Sequence, residues 1–468
     1  MTMKVMAREE PAIYKVLVRT KTSTSTAIGD LVVSDIEQTG PDGSGEFDYI
    51  DIGSVNNQTK QIEGPKRLPC SEAPSRARQR VRAGDVLVSM TRPNLNAVAL
   101  VPNALDGATA STGFHVLRAG ASAESAWLFY AVQSPQFIGA MSDLVQGALY
   151  PAVRPKDIRA FSLVVPVKAA QREVVAYLDE QLSRLDASVA ALHRVQANLK
   201  RYRASVLKSA CEGRLVPTEA ELARQEGRTF ETGAQLLQRI LAERRLRLSE
   251  RRHKEPTDPT INGLPDVPTG WHWATMPQLG ELNRGKSRHR PRDDRRLYGG
   301  PYPFVQTGDV RHADGVLSRH TQTYSGLGLE QSRLWPAGTL CITIAANIAE
   351  TARLSYPACF PDSIVGFVCD AGESMTKWVQ MFLATAKEDL ETFAPGTAQK
   401  NINLEVLQSV AIPLPPLAEQ HRIVAEADRR LSLIRVAQAQ VSANLARAQR
   451  LRQTMLQAAF RTPAQAGQ

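Results

Sequence analysis

One segment of this 468-residue chain matches a known catalytic pattern: GELNRGKS, residues 280–287, fits the GxxxxGK[ST] loop that cradles phosphates. That chemistry needs a strand before the loop and a helix after it, whose first backbone amides face the anion. The residues after Ser287 read RHRPRDDRRLYGG, with Pro291 inside a dense charge cluster, which is a poor helix. The segment therefore reads as a basic loop able to neutralise phosphates, with a plain exposed loop as the alternative and a nucleotide site as the weakest reading. Other catalytic patterns are missing. No HExxH or GxSxG occurs, and His289, His312 and His320 share a region without a metal-site spacing. The five cysteines are scattered, with no CxxC, and are expected to be reduced thiols of a cytosolic chain. Such a sequence points to binding and positioning rather than catalysis.

The wider composition agrees. Lys and Arg total 57 against 47 Asp and Glu, a net charge of +10 that favours a polyanionic partner. A hydrophobic content of 43% is enough for sizeable cores and excludes a disordered tail. No apolar run reaches membrane-spanning length, and no apolar signal segment opens the chain, so neither a membrane nor secretion is expected.

An internal repeat organises these residues. PVKAAQREVVAYLDEQLSRL (166–185) parallels PPLAEQHRIVAEADRRLSLI (415–434), and an ungapped comparison of 166–210 with 415–459 gives 14 identities. Upstream, DYIDIGSV (48–55) resembles PFVQTGDV (303–310), and AGDVLVS (83–89) resembles AGTLCIT (337–343). Both repeated segments carry a series of residues, apolar but for one glutamine in each, at alternating three and four spacing. In the first these are Val175, Leu178, Leu182, Leu185, Val189, Leu192, Gln196 and Leu199. In the second they are Val424, Leu431, Ile434, Gln438, Val441 and Leu445. This is a heptad seam, so residues 167–212 and 417–461 are predicted to form long helices, each roughly 65 Å at ~1.5 Å per residue. An intramolecular antiparallel pair is favoured over a generic bundle or homodimer seam. Gln196 and Gln438 interrupt the seam and are expected near one layer. The modules, with short apolar runs such as DVLVSM (85–90) and TLCITI (339–344) between turn residues, are predicted to be α+β.

Taken in order, these pieces resemble the specificity (S) subunit of type I restriction-modification systems, the HsdS family. The carriers are PLPPLAEQHRIVAEADRRLSLI (413–434) and its copy at 164–185, GDVLVSMTRPNLNAVALV (84–101), PYPFVQTGDV (301–310), GTLCITIAANIAETA (338–352) and GTAQKNINLEVL (396–407). The resemblance implies two similar target-recognition domains, 1–150 and 262–400. Helical spacers at 151–215 and 401–468 would pair as an antiparallel coiled coil, with 216–261 as a linker containing a short helix. It implies a non-catalytic subunit that binds double-stranded DNA, one half-site per domain. Two modification (M) subunits and the restriction (R) subunits would be its partners, with AdoMet, ATP and Mg on those partners and no cofactor on this chain. One departure stands out. The second module opens with LPDVPTGWHWATMPQLGEL (264–282), whereas the first has no Gly-Trp pair, so its first strand is expected to be altered or its start misplaced.

Base edges are read by Arg forks on guanine and by Asn or Gln amides on adenine. The candidates in the first module are Arg76, Arg78, Arg80, Arg92, Asn94 and Asn96. In the second they are Lys286, Arg288, Arg290, Gln306, Thr307 and Asn347. Tyr150 and Lys400, just before the spacers, are candidate backbone contacts. Each Asn could equally satisfy its own turn. A coiled-coil scaffold without sequence preference is the alternative function.

Overall fold

The computed structural model describes residues 24–34, 36–145, 147, 151–247, 255–289, 291–345, 349–386 and 403–460. The chain divides into two compact units. One comprises residues up to Arg194 together with those from Val441 onward; the other is Val195–Gln440.

The first unit opens with strand Thr24–Ala27 (β1) and a helical turn at Ile28–Leu31 (α1). It continues through Glu46–Ile50 (β2), Lys66–Pro69 (β3), Ala77–Arg80 (β4), Val86–Ser89 (β5), Val98–Leu100 (β6), Thr109–Ser111 (β7) and Phe114–Leu117 (β8). Helices Ser125–Ala131 (α2), Pro135–Asp143 (α3) and Pro155–Ala160 (α4), then strand Ser162–Val165 (β9), lead into the long helix Lys168–Cys211 (α5). The strands form a four-stranded sheet ordered β3-β2-β7-β4, a three-stranded sheet ordered β8-β5-β6, and the antiparallel pair β1-β9. The run VLVS of β5 is buried along its whole length, as expected of a central strand covered on both faces.

The second unit adds Glu219–Glu226 (α6), Gly233–Arg247 (α7), His272–Thr275 (β10), Met276–Leu279 (α8), Gly280–Arg284 (β11) and Tyr298–Phe304 (β12). Thr307–His312 (α9), Val316–Leu317 (β13), Gln322–Tyr324 (β14), Leu340–Thr343 (β15), Thr351–Leu354 (β16) and Ile364–Cys369 (β17) follow. Glu373–Thr385 (α10), Leu404–Ser409 (α11), Ala411–Leu414 (β18) and the long helix Leu417–Ala459 (α12) complete it. Its main sheet is ordered β11-β17-β15-β16-β13. Its segment β17-β15-β16 repeats β8-β5-β6 of the first unit, and β10-β18 repeats β1-β9.

That last match resolves the departure at the first module's start. TSTAIGDL (24–31) forms the same strand and helical turn as HWATMPQL (272–279), with no Gly-Trp before it. Pairing with β9 specifies the strand; the tryptophan does not.

The segment expected as a linker is folded. Helix α6 starts on a capping box between Thr218 and Glu221 and stops at Gly227, whose φ of 63° suits glycine. Helix α7 buries Leu236, Leu237 and Ile240 in the core of the second unit, while Leu246 is exposed. It lies so close to β18 that a Cβ on Gly233 would sit 2.2 Å from the Leu414 carbonyl oxygen.

Each unit holds the beginning of one long helix and the end of the other. In the first, Val174, Leu178 and Leu182 share a core with Leu456, Ala459 and Phe460. In the second, Val206, Leu207 and Ala210 share one with Ile423, Val424 and Ala427. The helices therefore run antiparallel, and the chain is an α+β protein of two similar modules with an intramolecular coiled coil. Along the seam Leu178, Leu182, Val424, Ile434 and Val441 are buried. Val175, Leu185, Val189, Leu192, Leu199, Leu431, Gln438 and Leu445 are half-buried. Gln196 departs from the expectation: it is exposed, within the continuously exposed stretch 193–198. It is not a buried polar layer of the seam, because two helices alone cover only a narrow stripe of each other.

Candidate nucleic-acid interface

In the first module two of the basic candidates, Arg78 and Arg80, lie on one strand. β4 is an edge strand whose burial alternates, with Ala77 and Gln79 inward and Arg78 and Arg80 exposed. Arg76, one residue earlier, is exposed as well. Alternation puts Arg78 and Arg80 outward along the strand, whose pairing register shifts between Ala77 and Gln79. Gln79 anchors the strand from beneath, donating to the Ser111 and Phe114 carbonyls at 2.7 and 2.9 Å. None of the three arginines has a carboxylate partner among the described residues; Arg78 Nε donates only to the Ser75 carbonyl at 3.1 Å. Lys66 and Arg67, on the opposite edge strand β3, are instead paired with Asp51, Glu46 and Asp48.

The loop after β5 holds Arg92 and Asn96 in the left-handed region, with φ of 48° and 46°. Arg92 and Asn94 are exposed. Asn96 is buried: its amide donates to the Val132 carbonyl at 2.9 Å, and its side-chain oxygen accepts from Lys60 at 3.1 Å. In this structure its polar atoms are committed to the fold. Burial pushes the Lys60 ammonium down to about 8, with Arg452 adding to the shift. His115 on β8 is likewise pushed down to about 4 by burial and by Arg159.

In the second module Lys286 and Arg288 are exposed on the loop after β11. The geometry of GELNRGKS is not that of a phosphate cradle. The amides of Gly285 and Lys286 are spent on the Ile364 and Phe360 carbonyls, at 2.9 and 3.1 Å. A Cβ on Gly285 would meet the Phe360 carbonyl oxygen at 2.3 Å, so this glycine serves close packing. Among the described residues the next helical turn after Ser287 is a single 3-10 turn at Arg295–Leu297. Gln306 is exposed; its backbone amide is capped by Asp309, and its side chain donates to Gln322. Thr307 is half-buried at the first position of α9. Tyr150, Arg290, Asn347 and Lys400 lie outside the described residues. Among the described residues no group of three or more His, Cys, Asp or Glu side chains could hold a metal, and no helix is long and apolar enough to cross a membrane.

Two features that place the modules escaped sequence reasoning. The first is a buried glutamine at the start of each long helix. Gln171 donates to the Pro166 and Ser122 carbonyls at 2.8 and 2.9 Å and accepts from the Glu124 amide at 2.8 Å. Gln420, its repeat partner, donates to the Pro415 carbonyl at 2.7 Å. The repeated Pro-x4-Gln spacing carried that signal. The second is a buried charge cluster in the second unit. Glu419 is fully buried, accepting from Trp271 Nε1 at 2.9 Å and from the Glu219 amide at 2.8 Å, and burial raises its carboxyl. Glu219 is also buried, but ion pairs with Arg422 and Arg228, both at 2.6 Å, outweigh that burial and hold its carboxyl below the usual range. The cluster ties α6 and the strand after Trp271 to the first turn of α12. Its repeat position in the first unit is Ala170, so no internal comparison could reveal it.

These modules and helices match a known class. A family model described as the type I restriction modification DNA specificity domain matches residues 268–430. The specificity subunit of the type I restriction enzyme HindI from Haemophilus influenzae is 22% identical over 400 residues, 78% of this chain and 84% of that protein. The EcoDI specificity subunit from Escherichia coli is 26% identical over 325 residues, 68% of this chain and 65% of that protein. A solved structure, from work on complex assembly and conformational transition of the type I R-M system, covers 94% of this chain and 98% of its own. Its TM-score is 0.67 and its identity 25%. The chain is thus similar to specificity subunits of type I restriction-modification systems, and its residues 268–430 match the model of their DNA specificity domain.

Proposed function

We propose that this chain is the DNA-specificity subunit of a type I restriction-modification complex and reads a bipartite, asymmetric target, one half-site per module. The observation that carries the reading is the doubled architecture: two modules that share the three-strand order β8-β5-β6 and β17-β15-β16 and a matching strand pair, each leading into one helix of an antiparallel pair. A stiff spacer between two readers makes half-site separation a geometric quantity. Linking two modest binders also raises affinity through effective concentration. Arg76, Arg78 and Arg80, with Arg92 and Asn94, form the basic face offered to the first half-site; Lys286 and Arg288 belong to the second. Two M subunits, which hold AdoMet and methylate adenine, and R subunits, which use ATP and Mg, complete the cytoplasmic complex. This chain contributes positioning, not catalysis. Selection from a random DNA pool with M subunits present tests the reading. A two-part enriched motif is expected, and exchanging the first module for another should alter one half of it. No enriched motif would favour a scaffold without sequence preference, and a change in both halves would contradict the modular assignment.

A further inference from the structure

The repeat provides a comparison inside one chain. Residues 249 positions apart correspond, so Arg203 matches Arg452, and Arg435 matches Asp186. In the first unit Arg452 on α12 donates to Asp186 on α5 at 2.7 Å. In the second unit the matching arginine, Arg203 on α5, shares its surroundings with another arginine, Arg435, which stands at the carboxylate's position. Neither guanidinium makes a hydrogen bond among the described residues. One carboxylate serves both at arm's length: Asp314 lies 3.8 Å from Arg203 and 3.9 Å from Arg435, beyond hydrogen-bond reach. Asp314 sits on the turn before β13 with a left-handed φ of 40°.

All three residues line one cleft of about 600 Å³ within the second unit. Basic side chains outnumber carboxylates in its lining, and the neighbouring Lys377 and Arg353 are already engaged, with Asp428 and Glu373, each at 3.1 Å. The corresponding cavity of the first unit, about 430 Å³, is lined by the repeat-related Asp179, Leu182, Ser183, Asp186 and Arg452. There the direct ion pair satisfies the arginine. The substitution of arginine for aspartate between the repeats has thus left two guanidiniums sharing one open space. Like charges at such a site repel, and an oxyanion with several acceptor oxygens relieves both, because guanidinium forks match phosphate geometry.

We propose that the cleft between α5, α12 and the turn at 313–315 binds a phosphate oxyanion, with Arg203 and Arg435 as the clamp and Asp314 as the internal carboxylate that competes with it. The phosphate comes either from the backbone of bound DNA, which rests on the function proposed above, or from a free phosphate compound, which does not.

The test uses the full chain and two substitutions. Arg435→Asp copies the pairing of the first unit and so preserves the helix contact. Asp314→Asn removes the competitor. Melting is followed against inorganic pyrophosphate and against chloride at matched ionic strength. Pyrophosphate should raise Tm beyond chloride in the wild type, not in Arg435→Asp, and at several-fold lower concentration in Asp314→Asn. In parallel, the complex with M subunits is titrated with target DNA at several salt concentrations. A DNA-backbone source lowers the log–log salt slope of Arg435→Asp by about one. Loss of the pyrophosphate effect with an unchanged slope assigns the site to a free phosphate compound. A slope and a pyrophosphate response identical in all three proteins overturn the proposal. The methylated motif, unchanged in these variants, reports separately on the specificity function.

Discussion

Replacing Arg76, Arg78 and Arg80 together by alanine removes three exposed cations from β4 and the residue before it. Because none is ion-paired among the described residues and their aliphatic stems lie at the surface, the fold is barely weakened. The expected change in unfolding free energy is within about 0.5 kcal/mol for each. The effect on DNA is larger. Every phosphate left unneutralised takes about 0.9 off the slope of log affinity against log salt, so three take off about 2.7. Between about 50 and 200 mM salt, the wild-type advantage should then shrink by about 40-fold. Fluorescence anisotropy of the assembled complex on its target, repeated across salt concentrations, reads this directly. If some of the three read guanine instead, the slope falls less and discrimination in the first half-site relaxes by about 1–3 kcal/mol for each base so read. An unchanged slope together with an unchanged motif would refute the placement of DNA on this face.

The buried glutamate and the two glutamines give sharper stability tests. Glu419→Ala strands the Trp271 indole and the Glu219 amide and should cost about 3 kcal/mol in urea unfolding; a neutral result would mean that the cluster does not hold α6 to the helix. Gln171→Leu breaks three hydrogen bonds and should cost about 2–3 kcal/mol, whereas Gln420→Leu, which among the described residues breaks one, should cost about 1. Equal losses would contradict that ranking. His115 is held neutral, at about 4 against an ordinary 6.5. The unfolded chain therefore takes up the proton first, and stability falls as pH drops from 6.5 towards 4 and levels below it. His115→Asn should flatten that limb, which has a maximal slope of about 1.4 kcal/mol per pH unit for one proton; an identical pH profile would exclude His115 as its source.

The sequence revealed the long helices best. Heptad spacing runs through 175–199 and 424–445, inside helices of 44 and 43 residues, and duplication made their pairing legible. Central strands such as β5 and β15 were equally readable, because four consecutive buried residues between turn signals leave few alternatives. Pairings set by tertiary structure were not. β1 has an unremarkable TSTA sequence and becomes a strand through β9. The apolar stripe of α7 looked irregular because it serves the core of the second unit, not an isolated helix. At the candidate interface, the outward stripe of β4 follows from period-two alternation. The burial of Asn96 does not, since its partners, Lys60 and Val132, each lie 36 residues away in sequence.

The paired helices are held here to set the distance between two readers. Inserting one heptad into each helix, after Gln196 and after Gln438, lengthens the pair by roughly 10 Å at ~1.5 Å per residue, about three base pairs at ~3.4 Å per step. The measurement is the motif methylated by the complex carrying this variant, read by sequencing DNA exposed to it. Both half-sites are expected to stay unchanged, with the gap between them longer by about three base pairs. An active complex that methylates with the original gap, or with altered half-sites, would contradict that role for the helices.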